Sequence, residues 1–189
     1  MYKFAAAALL LAAAEPATAQ RPPDPAALIA SEQAALAKFA MMDGVWRGSA
    51  WTITPGGRHD VTHTERVGPM LGGTIKVIEG HSYNADGTTG FNAFGIVSWN
   101  PQAQAYTLHS YALGYAGDFG LKAEADGYSW EVPAGPGTVI RYRATIGGGA
   151  WREVGYRVAG AGEPVQVFEM NLKRVGDTGW PAAGAVPPR

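Results

Sequence analysis

Four histidines are the residues best suited to acid–base or metal chemistry: His59, His63, His81 and His109. His59 and His63 share one face of a predicted strand, where four residues span about 13 Å. Both cannot bind one metal ion, because the His-x-x-x-His spacing brings ligands together on a helix and not on a strand. We interpret the histidines as hydrogen-bonded residues of a sheet. A metal site that joins Glu65 to histidines from different strands is the alternative.

Polar residues on later strands are candidate ligand anchors. His109 and Tyr111 lie on one face of a predicted strand, and if that face points inward they are polar groups in an otherwise apolar cavity. Arg141 and Glu169 are further candidates, because an inward arginine needs a carboxylate, such as Glu169 or Glu153, or an anionic ligand. An arginine ladder on a solvated outer face is the alternative.

The stretch 44–48, which reads Gly-Val-Trp-Arg-Gly, marks the point where a helical pattern stops and a strand pattern begins. Asp24 is a suitable N-cap for a helix over residues 26–42, with Pro25 at its first position. We predict that one apolar stripe of this helix covers an end of a barrel and that Trp46 closes the base. The stripe consists of Leu28, Ile29, Leu36, Phe39 and Ala40.

From Val45 onward, apolar residues alternate with a period of two, which is typical of β-strands. Turn signals separate the strands at intervals of roughly 8–12 residues, as in antiparallel meanders. Closure removes exposed strand edges, so we predict an all-β, antiparallel up-and-down barrel of about ten strands, with a stacked sandwich as the alternative. The predicted strands are 45–54, 58–68, 73–83, 91–100, 105–113, 118–123, 128–132, 138–146, 150–159 and 164–175.

Composition narrows the classes of partner. The chain has 189 residues, a net charge of -1, 26 glycines and no cysteine. This length suits one domain with its own core, which must hold the fold together without disulfides. The small charge and the lack of a basic block argue against nucleic acid and anionic membrane surfaces as partners.

The beginning of the chain has the pattern of a secretory signal peptide. Lys3 precedes an apolar run over residues 4–14, and Ala17-Thr18-Ala19 is a small-x-small cleavage site. We therefore predict a bacterial periplasmic or secreted protein, cleaved by the Sec-type route near Ala19, with an uncleaved anchor as the alternative. The apolar run is too short to span a bilayer, and no integral membrane segment is expected after cleavage. The predicted organisation is signal peptide 1–19, linker 20–25, helix-plus-barrel domain 26–175 and flexible tail 176–189.

The stretch 44–48 resembles the opening of the calycin barrels, which include lipocalins and fatty-acid-binding proteins, and equally the G-x-W-x-G of nitrobindin-type haem barrels. Over residues 35–175 the chain also resembles a family of secreted bacterial proteins of unknown function. Both resemblances imply a barrel rather than a particular activity. The motifs that carry the wider resemblance are Pro55-Gly56-Gly57, Leu71-Gly72-Gly73, Asp86-Gly87-Thr88, Ile96-Val97-Ser98-Trp99-Asn100, Tyr106 and residues 168–175.

The nitrobindin resemblance implies a haem-ligating histidine on the last strand, a few residues before a Leu-x-Arg ending. Leu172-Lys173-Arg174 is similar to that ending, but the position of the histidine falls close to Val167. Valine cannot coordinate iron. We therefore predict no cofactor, and a nitrobindin-like haem binder remains an alternative only if another histidine serves as the ligand.

The leading hypothesis is a barrel whose lumen binds a small apolar ligand, since about ten strands enclose more space than side chains easily fill. Its candidate ligand-binding residues are Trp46, His109, Tyr111, Arg141 and Glu169. The first alternative is an isomerase or cyclase that uses His109 or Glu169 as a proton carrier. The second is a structural or protein-interaction module of the cell envelope. Nucleophilic catalysis has no support, because the chain has neither a cysteine nor a Gly-x-Ser-x-Gly motif. No catalytic or metal-binding residue is assigned.

Overall fold

The computed structural model of the chain describes residues 24–180 and begins with a helix. Helix α1 spans Pro25–Leu36, and the side chain of Asp24 caps it by accepting a 3.1 Å hydrogen bond from the backbone N–H of Ala26. The chain continues as a 3₁₀ segment over Ala37–Met42. The predicted helix is therefore confirmed, with a tighter winding over its last six residues.

Ten antiparallel strands follow, and each pairs with the next along the chain. The last strand pairs with the first, so the sheet is a closed up-and-down barrel. This confirms the predicted all-β barrel with one helix packed at an end. The strands are β1 (Gly44–Thr54), β2 (Gly57–Met70), β3 (Ile75–Tyr83), β4 (Thr89–Asn100), β5 (Ala105–Ala112), β6 (Tyr115–Glu124), β7 (Gly127–Pro133), β8 (Thr138–Gly147), β9 (Ala150–Ala159) and β10 (Val165–Gly176).

The 3₁₀ segment and the first strand close one end of the barrel. Trp46 is 1% exposed, and its Nε1 donates a 2.8 Å hydrogen bond to the carbonyl oxygen of Met42. Its ring meets that of Trp151 edge-on, with the centroids 5.5 Å apart. Phe39 makes a similar contact with Tyr106 at 4.9 Å. Trp46 therefore lies at the closed base of the barrel, and aromatic rings fill the interior around it.

The apolar stripe of the helix differs from the prediction. Leu36 and Phe39 are buried, but Ile29 is 47% exposed and Ala40 is also exposed. Only the last turn of α1 and the 3₁₀ segment reach the barrel, where the tighter winding turns Met42 into the core instead. The first turns of α1 extend beyond the barrel and bury little.

We call α1 and the 3₁₀ segment, residues 25–42, the helical plug. Polar contacts hold the helical plug against the barrel wall. The hydroxyl of Tyr106 donates a 3.0 Å hydrogen bond to the carbonyl oxygen of Ala35. Lys76 on β3 is 3% exposed and forms an ion pair with Asp43, which directly follows the plug. Because a buried ammonium needs a charged partner, this pair fixes the position of the plug against the strands.

After β10 the chain lies against the outside of the barrel. The hydroxyl of Thr178 donates a hydrogen bond to the carbonyl oxygen of Val67, and the guanidinium of Arg66 lies 4.4 Å from the ring centre of Trp180. The predicted signal peptide, all of the linker but residues 24 and 25, and residues 181–189 of the predicted tail lie outside the described residues. Within residues 24–180, no helix is both long enough and apolar enough to cross a membrane.

Candidate functional site in the barrel interior

His109 lies on the outer face of the barrel. Its Nδ1 is 2.7 Å from Oδ1 of Asp118, and its Nε2 is 2.9 Å from Oγ of Ser98. The side chains that alternate with it, Tyr106 and Leu108, belong to the core and fix the inward face of β5. Tyr111, on the same outer face as His109, is 53% exposed. Neither residue is a polar anchor in the lumen, because the inward face of the strand is the opposite one.

Arg141 and Glu169 also lie outside. Arg141 pairs with Glu131 of the neighbouring strand at 2.6 Å, and Glu169 pairs with Arg152 at 2.9 Å. Both are ion pairs between neighbouring strands on the solvated outer face. They agree with the alternative interpretation given above, an arginine ladder on that face. Their placement in the lumen is therefore wrong, and among the five predicted ligand-binding residues only Trp46 faces the interior. That these five residues bind a ligand stays a prediction.

His63 and Glu65 instead face the interior from β2. Nδ1 of His63 is 2.6 Å from Oγ of Ser82 on β3, and its Nε2 is 2.8 Å from Oε1 of Glu65. The side chains of His63 and Glu65 are only 8% and 12% exposed. Hydrogen bonds on both ring nitrogens orient the imidazole, and a carboxylate beside a histidine can hold or transfer a proton.

Glu153 on β9 is a second carboxylate inside the barrel. Its Oε2 accepts a 2.6 Å hydrogen bond from the hydroxyl of Tyr128, and its Oε1 accepts a 2.8 Å bond from Nε1 of Trp130. Burial raises the pKa of Glu153, and the charge of Glu65 raises it further. The sequence suggested Glu153 as a partner for an inward arginine, but its partners are a phenol and an indole.

Glu65 and Glu153 differ in how completely they are satisfied. Both oxygens of Glu153 accept hydrogen bonds. Oε2 of Glu65 is buried and has no hydrogen-bond partner among residues 24–180. The close approach of Glu65 also explains Gly80 on the neighbouring strand, where a Cβ atom would lie 2.9 Å from Oε1 of the carboxylate. The interior therefore holds an acceptor atom without a donor, which is uncommon in folded proteins.

Four aromatic side chains form a continuous row above these carboxylates. Trp130 and Tyr142 are stacked, with ring centroids 4.5 Å apart and an interplanar angle of 16°. Phe119 extends the row beside Trp130, and Phe168 extends it beside Tyr142. Burial, reinforced by the charge of Glu153, raises the pKa of Tyr142 to about 12, so this phenol stays neutral at physiological pH. We call these four side chains the aromatic row.

Small side chains occupy the inward positions of β3 to β6, facing the half of the barrel that carries most of the aromatic row. The pairing register places these residues beside one another across the four strands. They are Gly80, Ala93, Gly95, Ser110, Ala112 and Gly117. Larger neighbours cover three of these glycines, since an added Cβ atom would lie 2.9 Å from Glu65 at Gly80, 3.1 Å from Leu108 at Gly95 and 2.8 Å from Phe119 at Gly117.

Burial changes along the barrel axis. Side chains at the closed end, such as Trp46, Trp151 and Val97, are at most 2% exposed. The aromatic row and the inward residues Phe91 and Ala93 are intermediate in exposure, so solvent reaches this half of the interior. We call it the mouth half of the lumen.

Other surface features lie outside the lumen. A pocket of about 110 Å³ lies beneath the helical plug, and one of about 310 Å³ lies on the outer face of β1 to β3 beside Arg66 and His81. The outer face and hairpin of β4 to β6 also carry exposed apolar residues. These are Phe94, Tyr111, Leu113 and Tyr115.

The interior does not fit a nitrobindin-type haem. Val167, near the expected ligand position, lies at an irregularity in the pairing of β10 with β9 and has no coordinating atom. The inward histidine His63 has both ring nitrogens engaged by Ser82 and Glu65. Within the described part of the chain, no group of three or more histidine or acidic side chains could hold a metal ion.

One sequence signal pointed to the interior site, namely the alternation of Val61, His63, Glu65 and Val67 on one face of β2. The apolar ends of this series mark the inward face, so the two polar residues between them face inward as well. No local sequence pattern connects these two residues to Glu153, which lies on a distant strand.

No protein-family model matches the chain, and no curated protein is significantly similar to it in sequence.

Proposed function

We propose that this protein is an exported calycin-like barrel that binds a small, largely apolar ligand in the mouth half of its lumen. The observation that carries the proposal is the aromatic row, whose inward rings remain partly accessible to solvent. Partly exposed rings that face a wall of small residues offer apolar surface that a ligand can cover. The filled base at Trp46 limits the depth to which a ligand can enter.

The expected affinity follows from the apolar area that such a ligand buries. Covering about 200 Å² of its surface contributes about 5 kcal/mol before the loss of its translational freedom is counted. Binding in the micromolar range therefore requires a ligand larger than a single ring, such as a fused aromatic or an alkyl chain. Ser110 on the facing wall adds a hydroxyl group that can accept or donate hydrogen bonds.

The test uses the neutral fluorescent probe N-phenyl-1-naphthylamine, whose emission rises in apolar surroundings. We expect saturable binding to the wild-type protein and a loss of at least about tenfold in affinity for Ala93→Trp, which fills the lumen from β4. Asn92→Trp is the matched control, because Asn92 is the exposed, outward neighbour of Ala93. Equal binding by the two variants would place the probe outside the lumen and overturn the proposal.

Export is a separate part of the proposal and has its own test. It is supported by the charged start, apolar run and Ala-x-Ala ending of residues 1–19. Expression in a Gram-negative bacterium should yield periplasmic protein whose first residue is Gln20. Recovery of the full chain from the cytoplasm would contradict this part alone.

A second candidate function is proton transfer to a bound ligand, as in an isomerase or cyclase. The observation that favours it is the inward pair of His63 and Glu65, rather than the outward His109 and Glu169. Incubation with a β,γ-unsaturated ketone should then produce the conjugated isomer, followed by its ultraviolet absorbance. The rate should fall in His63→Gln and persist in His109→Gln. No rate above that of buffer in the wild-type protein would reject this candidate.

A further inference from the structure

We propose that the lumen selects a ligand whose apolar body carries a protonated nitrogen, as in a long-chain or aromatic amine. This inference rests on the proposed luminal binding and adds the charge of the head group. It is carried by two carboxylates, Glu65 and Glu153, which face the same interior below the aromatic row. The two carboxylates interact electrostatically, because the negative charge of Glu65 raises the pKa of Glu153.

The inward-facing side chains of residues 24–180 do not balance these carboxylates. Lys76 is already paired with Asp43 at the closed end. Arg157 and His59 lie at the open rim of the mouth half, where both are exposed and screened by solvent. A ligand that enters the lumen therefore meets a buried acceptor oxygen of Glu65 that lacks a donor.

Glu65 is the carboxylate whose missing hydrogen bond a ligand can supply. One of its oxygens is held by Nε2 of His63 at 2.8 Å, whereas Oε2 is buried and lacks a donor. An ammonium group carries three donors and a full positive charge, so it supplies what this oxygen lacks. An alcohol supplies one donor without the charge, and a second carboxylate supplies neither.

The aromatic row favours the same class of ligand. The outer faces of the stacked rings Trp130 and Tyr142 can attract a cation through their quadrupoles, and the edge of the indole meets Glu153 through Nε1. An amine head at the floor of the mouth half would lie against Oε2 of Glu65, with these rings beside it. Its apolar body would then extend toward the rim along Phe168 and Phe91.

The test compares three competitors with the same alkyl chain: decylamine, decanol and decanoate. Each displaces N-phenyl-1-naphthylamine at neutral pH and below its aggregation concentration. We expect decylamine to displace the probe at a concentration at least about tenfold lower than decanol, and decanoate to be the weakest. In Glu65→Gln, which keeps an oxygen for His63 to bond, the advantage of the amine should shrink by about tenfold while decanol is unchanged. Glu131→Gln is the control, because Glu131 is an exposed carboxylate on the outer face.

The outcomes separate this inference from the proposed function. Equal displacement by decylamine and decanol, or stronger displacement by decanoate, would overturn the amine inference and leave luminal binding intact. Failure of the probe and of all three competitors to bind would overturn both. The ranking in the wild-type protein needs no substitution, so it remains decisive if Glu65→Gln folds poorly.

Discussion

The hydroxyl of Tyr128 on β7 donates a 2.6 Å hydrogen bond to Oε2 of Glu153 on β9, across the intervening strand β8. Ala144 pairs with both residues in the register and is fully buried between them. Its methyl group is small enough for the two longer side chains to meet above it. Gly155 on β9 allows Tyr142 and Phe168 to meet in the same way. Small residues between strands thus join the interior polar network to the aromatic row.

Removing the hydroxyl in Tyr128→Phe should lower the free energy of unfolding by about 1–3 kcal/mol, because a buried oxygen of Glu153 loses its donor. Urea denaturation followed by far-ultraviolet circular dichroism measures the change. Tyr111→Phe is the matched control, since that hydroxyl lies on an exposed outer side chain. Similar midpoints for the two variants would show that the hydrogen bond to Glu153 adds no stability.

The raised pKa of Glu153 predicts how stability changes with pH. Burial is the first cause, and neighbouring Glu65 adds to it, whereas Tyr128, Trp130 and His63 oppose it. Between the ordinary pKa of a glutamate and the raised one, the folded protein binds more protons than the unfolded chain. The contribution of Glu153 to stability is therefore present at acidic pH and is lost as pH rises through this window.

Glu153→Gln should remove that loss, because glutamine does not titrate. Denaturation midpoints measured from about pH 4 to pH 8 should decline less steeply with rising pH in the variant than in the wild-type protein. Parallel curves would contradict the raised pKa.

Asp43 and Lys76 should respond unequally to substitution. Asp43→Asn leaves a 3%-exposed ammonium without a charged partner and should destabilise the protein by about 3 kcal/mol. Lys76→Met leaves a carboxylate that is 33% exposed and can hydrate, so about 1 kcal/mol is expected. Urea denaturation of both variants gives the comparison, with the exposed Asp60→Asn as a control that changes little. The reverse order would show that the plug does not depend on this ion pair.

Gly155→Ala should disturb the aromatic row. The added Cβ atom would lie 2.8 Å from Cε1 of Tyr142 and 3.0 Å from Cβ of Phe168, so the Tyr142 ring and the Phe168 side chain must shift at a cost of about 1–3 kcal/mol. Affinity for N-phenyl-1-naphthylamine should fall with the stability. Gly120→Ala is the matched control, because nothing lies within 4 Å of a Cβ there. Unchanged probe binding in Gly155→Ala would separate the aromatic row from the ligand site.

The sequence alone predicts the strands well and the site poorly, because local patterns show where a strand lies but not which of its faces points inward. Apolar alternation and glycine-rich turns determine where strands lie, and the barrel closes because edges must pair. The direction of a strand face is harder to infer where both faces are mixed. On β5, His109 and Tyr111 alternate with Tyr106 and Leu108, and packing of Tyr106 against the helical plug decides which pair turns inward.

The interior carboxylates could not be predicted from the sequence because their partners come from distant strands. Glu153 is compatible with the core only through Tyr128 and Trp130, which lie 25 and 23 residues earlier in the chain. Glu65 is compatible only through its bond to His63. A local pattern assigns such residues to the solvated face, because an unpartnered buried charge is unfavourable.

The central claim is that the mouth half of the lumen binds a small ligand, and intermolecular nuclear Overhauser effects with decanol test it most directly. Our account predicts contacts from the alkyl chain to the ring protons of Trp130 and Phe168, which face the interior. Contacts confined to the rings of Phe94 and Tyr111, which are 41% and 53% exposed on the outer face, would contradict it.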